Sequence, residues 1–185
     1  ASICFGLNDY TSDNTIITLD AGNHTGWPQR FIKFHHGCLQ IGSTCGSMGY
    51  SIPAALAAAL VFPKKQVIAF VGDGGFLMSG LEITTAIQHE LNIVIVIANN
   101  SSYGTIRMHQ ELKFPKRVIG TDLKNPNFIA LARSMGAFAE RVNSTKGFFK
   151  VLERVMNTRR VSVIELVLPV EKISTRFDIQ DIQNL

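Results

Sequence analysis

Apolar residues along the chain fall into short unbroken runs and into helical stripes, and the two kinds alternate. The runs are NTIITLD (14–20), QVIAFV (66–71), NIVIVIAN (92–99), AFAERV (137–142) and VSVIELVL (161–168). β-branched and apolar runs of this length, bounded by turn residues, predict strands. An unbroken run, rather than an alternating one, predicts a strand covered on both faces. Between them lie the helical segments. SMGYSIPAALAAALVF (47–62) is Ala/Leu-rich and predicts a helix from about Pro53, with proline tolerated in the first turn. Residues 76–91 carry a stripe of Leu77, Leu81, Ala86, Ile87 and Leu91. NPNFIALARSMG (125–136) predicts a helix capped by Asn and ended by Gly136, and STKGFFKVLERVMNTR (144–159) predicts an amphipathic helix. Strand and helix in alternation give an α/β class: a doubly wound, mostly parallel sheet with helices on both faces. The chain shows no internal repeat and no low-complexity stretch. It is read as a single domain, 1–185, whose polar tail from Glu171 to the end wraps a surface or is mobile.

Composition narrows the class without naming a function. A chain of 185 residues suffices for one packed domain, and 46% hydrophobic with 17% charged residues excludes a disordered segment. The net charge of +4 comes from scattered Lys and Arg, so no nucleic acid partner is demanded. Cys4, Cys38 and Cys45 are odd in number and lack CxxC spacing, which argues against a disulfide framework or a zinc site and for a reducing, cytoplasmic location. No apolar run reaches eighteen residues and no basic leader opens the chain, so neither a membrane span nor a signal peptide is expected. The start at Ala1, without an initiating Met, is read as that of a processed or excised piece. His35, His36, His89 and His109 show no helical metal spacing.

The chemistry concentrates in VGDGGFLMSG (71–80), where a single carboxylate stands among glycines directly after a strand. Such a segment is either a tight turn or a place where a charged ligand comes too close for any Cβ. Ligands in open parallel sheets bind beyond the carboxyl ends of strands. Asp73 ends the strand 66–71, and Asn99-Asn100 ends the next one, so a right-handed crossover brings both to one edge. Carboxylate, amide carbonyl and backbone carbonyl oxygens suit Mg²⁺ or Ca²⁺ rather than zinc. Gly72, Gly74 and Gly75 let backbone N–H groups approach a phosphate, and residues 101–105 add further donors at the start of another short helix. The combination predicts a diphosphate bridged to the protein by Mg²⁺. A dinucleotide site is the weaker reading, because GDGGFL lacks the G-x-G-x-x-G frame.

Gly72-Asp73-Gly74, a helix and a strand, then Asn99-Asn100 resembles the signature of thiamine diphosphate enzymes. From about Ile16 to Pro169 the chain is similar to the acetohydroxyacid (acetolactate) synthase and 2-oxo-acid decarboxylase family. The resemblance implies the thiamine diphosphate-binding fold of the C-terminal domain of a three-domain enzyme. It implies Asp73, the Asn100 side chain and the Ser102 backbone oxygen as metal ligands. GNHTGW resembles the family's Gly-Gln-His-x-x-Trp, which sets Gly22, Asn23 and His24 near the diphosphate. GSMG sets Gly46, Ser47 and Met48 at the aminopyrimidine, with Met48 as the apolar wedge that bends the cofactor. Gly72, Gly74, Gly75, Ser102, Tyr103, Gly104 and Thr105 complete the implied cofactor contacts. The implied substrate is a 2-oxo acid such as pyruvate. The implied partners are a pyrimidine-binding N-terminal domain, of the same or a neighbouring subunit in a homo-oligomer, which brings the activating glutamate; no catalytic residue is assigned within this chain. Two positions depart from the pattern: Asn23 replaces Gln, and His109 stands where many synthases carry Trp. The other reading left open is a non-catalytic nucleotide- or phosphate-binding α/β module.

Overall fold

The computed structural model describes residues 1–34 and 37–184; His35 and His36 lie outside the described residues. The apolar runs form the sheet, as β1 (Thr15–Leu19), β2 (Leu39–Gly42), β3 (Gln66–Gly72), β4 (Ile93–Asn99), β5 (Phe138–Val142) and β6 (Ser162–Val167). Their order is β2-β1-β3-β4-β6-β5, and every neighbouring pair is parallel. The sheet is therefore parallel throughout, which bears out the α/β class with helices on both faces. Helices connect the strands: α1 (Ser2–Gly6), α2 (Gly26–Phe31), α3 (Ser51–Val61), α4 (Asp73–Ser79), α5 (Ile83–Gln88), α6 (Gly104–Lys113), α7 (Phe128–Ser134), α8 (Thr145–Met156) and α9 (Ile179–Gln183).

Alternate strand residues feed two cores, as the period of two requires. Val67, Ala69, Val71, Ile93, Ile95 and Ile97 face α3, α4, α5 and α7. Ile68, Phe70, Val94 and Val96 face the other way, onto α1, α2 and α8. Both faces of the central strands are thus covered, which explains their unbroken apolar sequence.

The helix predicted over 76–91 is broken in two. Helix α4 begins earlier, at Asp73, and stops at Ser79; a 3₁₀ turn, Gly80–Glu82, re-aims the chain into α5. The expected stripe is split accordingly, with Leu77 and Leu81 exposed and Phe76, Ile83 and Ala86 buried. Phe76 packs edge-to-face on Phe128, ring centroids 5.1 Å apart. A seven-residue helix has little stability of its own, and full burial of one Phe contributes about 1.5–3 kcal/mol. Phe76 is therefore the anchor of α4, and it fixes Asp73 one turn before it.

Four elements had no signal strong enough to predict. Helices α1 and α2 are five and six residues long. Strand β2 is an edge strand with a single partly buried apolar residue, Ile41, facing the core. Helix α9 lies in the polar stretch after Glu171, where Ile173, Ile179 and Ile182 form a small cluster against Met108 of α6. Gln183 Nε2 donates to the buried Glu111 Oε2 at 2.8 Å and ties α9 to α6 at a second point.

Candidate functional site

From β1 the chain runs outward to β2, whereas from β3 it runs the opposite way to β4, so the carboxyl ends of β1 and β3 flank a crevice. A cleft of about 720 Å³ opens there, within the usual range for small-molecule sites. Its walls include Gly22, Asn23 and His24 after β1, Gly72–Gly75 after β3, and Asn100 with Ser102–Thr105 after β4, together with Met48. Gly46 and Ser47 are the exceptions: both are exposed and neither lines the cleft.

Asp73 caps the end of β3 and is 2% exposed. Its Oδ2 accepts from Asn125 Nδ2 at 2.7 Å. Burial raises its carboxyl pKa above the ordinary value; donation from Asn125 and from the backbone amides of Gly74, Asp73 itself and Ser101 opposes the rise without cancelling it. A carboxylate held in this way is under-compensated as an anion, and a divalent cation would relieve it.

The chain after β4 turns sharply through two Asx turns. Ser101 N donates to Asn99 Oδ1 at 3.0 Å and Ser102 N to Asn100 Oδ1 at 3.2 Å. Between them Ser101 takes φ 54°, the left-handed region. This turn returns Ser102 to the cleft beside Asn100. Ser102 Oγ is buried and has no hydrogen-bond partner among the described residues, and neither have His24 Nε2 and Asn125 Oδ1. Ser102 and His24 line the cleft, and orphaned polar atoms there fit a polar ligand.

Asp20, at the end of β1, organises the opposite wall. Its Oδ1 accepts from Tyr50 N at 2.7 Å and Ser51 N at 3.1 Å, and its Oδ2 from Gly49 N at 3.1 Å. These amides open α3, so the carboxylate fixes the turn that carries Met48. A Cβ on Gly75 would lie 2.0 Å from Asp20 Oδ2, and one on Gly74 would lie 2.6 Å from the Tyr103 ring. Asp20 is clamped by three backbone amides and yields only at their cost, so glycine at 75 lets the two loops meet.

Asn23 and Thr105 lock the loops after β1 and β4 together. Asn23 N donates to Thr105 Oγ1 at 3.0 Å, and Thr105 Oγ1 donates to Asn23 Oδ1 at 3.0 Å. The Asn23 amide nitrogen is spent on Ile173 O at 2.9 Å, which draws the C-terminal segment to the cleft. His24 lies against Gly72, where a Cβ would stand 3.2 Å from its ring. Burial pushes the His24 pKa down to about 4, against the pull of the Asp20 carboxylate, so the imidazole is neutral at pH 7.

Two residues of this site escape sequence reasoning. Asp20 had a usable signal, since an acid at a strand end followed by Ala-Gly repeats the pattern of Asp73. Asn125 had none: in Asn-Pro-Asn either amide could cap the helix, and Asn127 does so, accepting from Ala130 N at 3.1 Å.

The donor set is one carboxylate, one amide and backbone oxygens around glycine turns. Among the described residues no group of three or more His, Cys, Asp and Glu stands together as a metal centre. Residues 20–166 match the family described as thiamine pyrophosphate enzyme, C-terminal TPP binding domain. The chain belongs to this family. Within it, this TPP-binding domain is 33% identical over 157 residues to the mitochondrial acetolactate synthase of Schizosaccharomyces pombe, covering 84% of the chain and 24% of the relative. It is 32% identical over 161 residues to the acetolactate synthase of Bacillus subtilis, covering 86% and 28%. With the probable acetolactate synthase large subunit of Methanocaldococcus jannaschii the identity is 32% over 167 residues, covering 88% and 28%. The TPP-binding domain spans about a quarter of the length of these relatives. Membership in an enzyme family favours the cofactor domain over a phosphate-binding module without chemistry.

Proposed function

We propose that this TPP-binding domain serves an acetolactate synthase-like enzyme that acts on 2-oxo acids such as pyruvate, with thiamine diphosphate carried on Mg²⁺. The observation that supports this most is the buried, under-compensated Asp73 in one cleft with Asn100 and Ser102, at the adjoining ends of β3 and β4. Asp73, the Asn100 side chain and the Ser102 carbonyl would hold the metal; Gly72, Gly74, Gly75 and the loop from Ser102 to Thr105 would receive the diphosphate. When bound, thiamine diphosphate supplies a carbon nucleophile and a sink for the electrons released on decarboxylation.

The chain's own contribution is binding and orientation. Asp20 sets the Met48 turn, and Asn23 with Thr105 closes the wall between the loops after β1 and β4. Neutral His24, with Nε2 unpartnered, offers a hydrogen bond without adding charge. The activating glutamate belongs to an N-terminal pyrimidine-binding domain of the same or a neighbouring subunit. Exposed Leu77, Met78 and Leu81, on and after α4, support a packing partner on that side and a homo-oligomeric enzyme. Free Cys4, Cys38 and Cys45 support a reducing compartment such as the cytoplasm; no helix of the described residues is long and apolar enough to cross a membrane.

The test is turnover. The full-length protein with thiamine diphosphate and Mg²⁺ is expected to release CO₂ from pyruvate, and residues 1–185 alone are expected to release none. Steady turnover by the isolated stretch, or none by the full-length protein with any 2-oxo acid, contradicts the proposal.

A further inference from the structure

Behind Asp73 runs a chain of side-chain hydrogen bonds that the cleft does not account for. Arg141 Nε donates to Glu165 Oε2 at 2.8 Å, and Asn99 Nδ2 donates to Glu165 Oε1 at 2.7 Å. Asn125 Nδ2 donates both to Asn99 Oδ1, at 3.0 Å, and to Asp73 Oδ2, at 2.7 Å. Glu165 is 1% exposed and only accepts, so Asn99 must turn its nitrogen to it. That leaves the Asn99 oxygen facing Asn125 and Ser101 N. Asn125 must in turn present its nitrogen, because it faces an amide oxygen on one side and a carboxylate on the other. The order of the whole chain is thus dictated from the buried glutamate outward. The cost falls on Asn125 Oδ1, which is buried without a partner; flipping the amide would set that oxygen against the Asp73 carboxylate.

The segment carrying Asn125 is fastened to the loop after β4. Tyr103 N donates to Thr121 O at 2.9 Å, Leu123 N donates to Ser101 O at 2.8 Å, and Ser102 bridges to Asp122. Asn125 therefore arrives at Asp73 on a backbone already held, and its amide engages one carboxylate oxygen only. Asp73 Oδ1 is the oxygen that Asn125 does not engage, on a residue that lines the cleft.

We propose that Asn125 is a positioning residue for metal binding: it fixes the Asp73 carboxylate in the one orientation that presents Oδ1 to the cleft. The proposal rests on Asp73 being a metal ligand, as proposed above. Partners that orient a ligating group commonly change metal affinity about ten- to a hundredfold when removed.

Mn²⁺ titration of the full-length protein, with thiamine diphosphate present and free Mn²⁺ followed by electron paramagnetic resonance, tests it. Asn125→Leu is expected to weaken Mn²⁺ binding at least about tenfold. Asn127→Ala, which removes only the cap of α7, is expected to lower the unfolding temperature and leave Mn²⁺ affinity within about twofold, since it touches no donor to Asp73. Asn125→Ser, too short to reach Asp73, repeats the loss in a milder variant should Asn125→Leu not fold. Wild-type affinity in the folded Asn125 variants, or an equal loss in Asn127→Ala, overturns the role of Asn125. No saturable Mn²⁺ binding by the wild type overturns instead the metal reading on which it rests.

Discussion

Gly75 and Asp20 show how one absent methyl group holds the site together. Asp20 accepts three backbone N–H bonds, and any side chain at 75 would push its Oδ2 aside. Hydrogen bonds to a charged group are each worth about 1.5–3 kcal/mol. Gly75→Ala is therefore expected to cost ~3 kcal/mol or more in denaturant unfolding, well above the usual cost of a surface substitution. His24 gives a pH signature. Its pKa falls from 6.5 to about 4 on folding, so the neutral ring contributes stability that is complete above pH 6.5 and is lost as pH drops toward about 4. Thermal unfolding followed over that window is expected to show the loss in the wild type, and His24→Gln is expected to flatten it. At this scale the sequence made Asp73 and Asn100 legible, because glycine spacing and strand ends mark them. Asp20 carries the same kind of mark at the end of β1, whereas Asn125 carries none, because what it binds is side chains remote in sequence.

The elements divide along the same physical line. Strands β3 and β4 were legible because both of their faces are buried and the apolar run is continuous. Helix α8 was legible because its long amphipathic stripe places Phe148, Val151, Leu152 and Val155 inward, and Ser144 caps it, accepting from Gly147 N at 3.1 Å. The single stripe over 76–91 spans two helices, α4 and α5, because five apolar residues match a helical period by chance when a turn at Gly80 intervenes. Helix α9, only five residues long, exists through its contacts rather than its propensity. Ile179→Asp is expected to speed hydrogen exchange at α9 and at Ile173 while leaving the amides of β3 and β4 at wild-type protection. Equal protection in the mutant would show that the ion pair of Lys172 with Asp178 and the Gln183 bond to Glu111 suffice without the isoleucine cluster.

The whole molecule gathers these pieces by topology. Reversal of direction between β1 and β3 opens the crevice, and parallel pairing of β3 with β4 sets Gly72 opposite Ala98, so the chains beyond both strands leave by the same edge. The α/β class and this edge follow from the sequence pattern alone. The C-terminal segment, which lines the cleft and holds Asn23, does not, because its apolar residues are too few to show a period. Exposed Leu77, Met78 and Leu81 leave one side of the domain suited to a further domain, in keeping with a chain that spans about a quarter of its relatives. Asp73 and Asn100 are proposed to share one divalent cation and, through it, the diphosphate. Calorimetric titration of thiamine diphosphate into the full-length protein, with Mg²⁺ and with a chelator, addresses it most directly. Tight binding is expected only with Mg²⁺ and is expected to be lost in Asp73→Ala; equal binding in the chelator, or wild-type affinity in Asp73→Ala, would overturn the shared-cation reading.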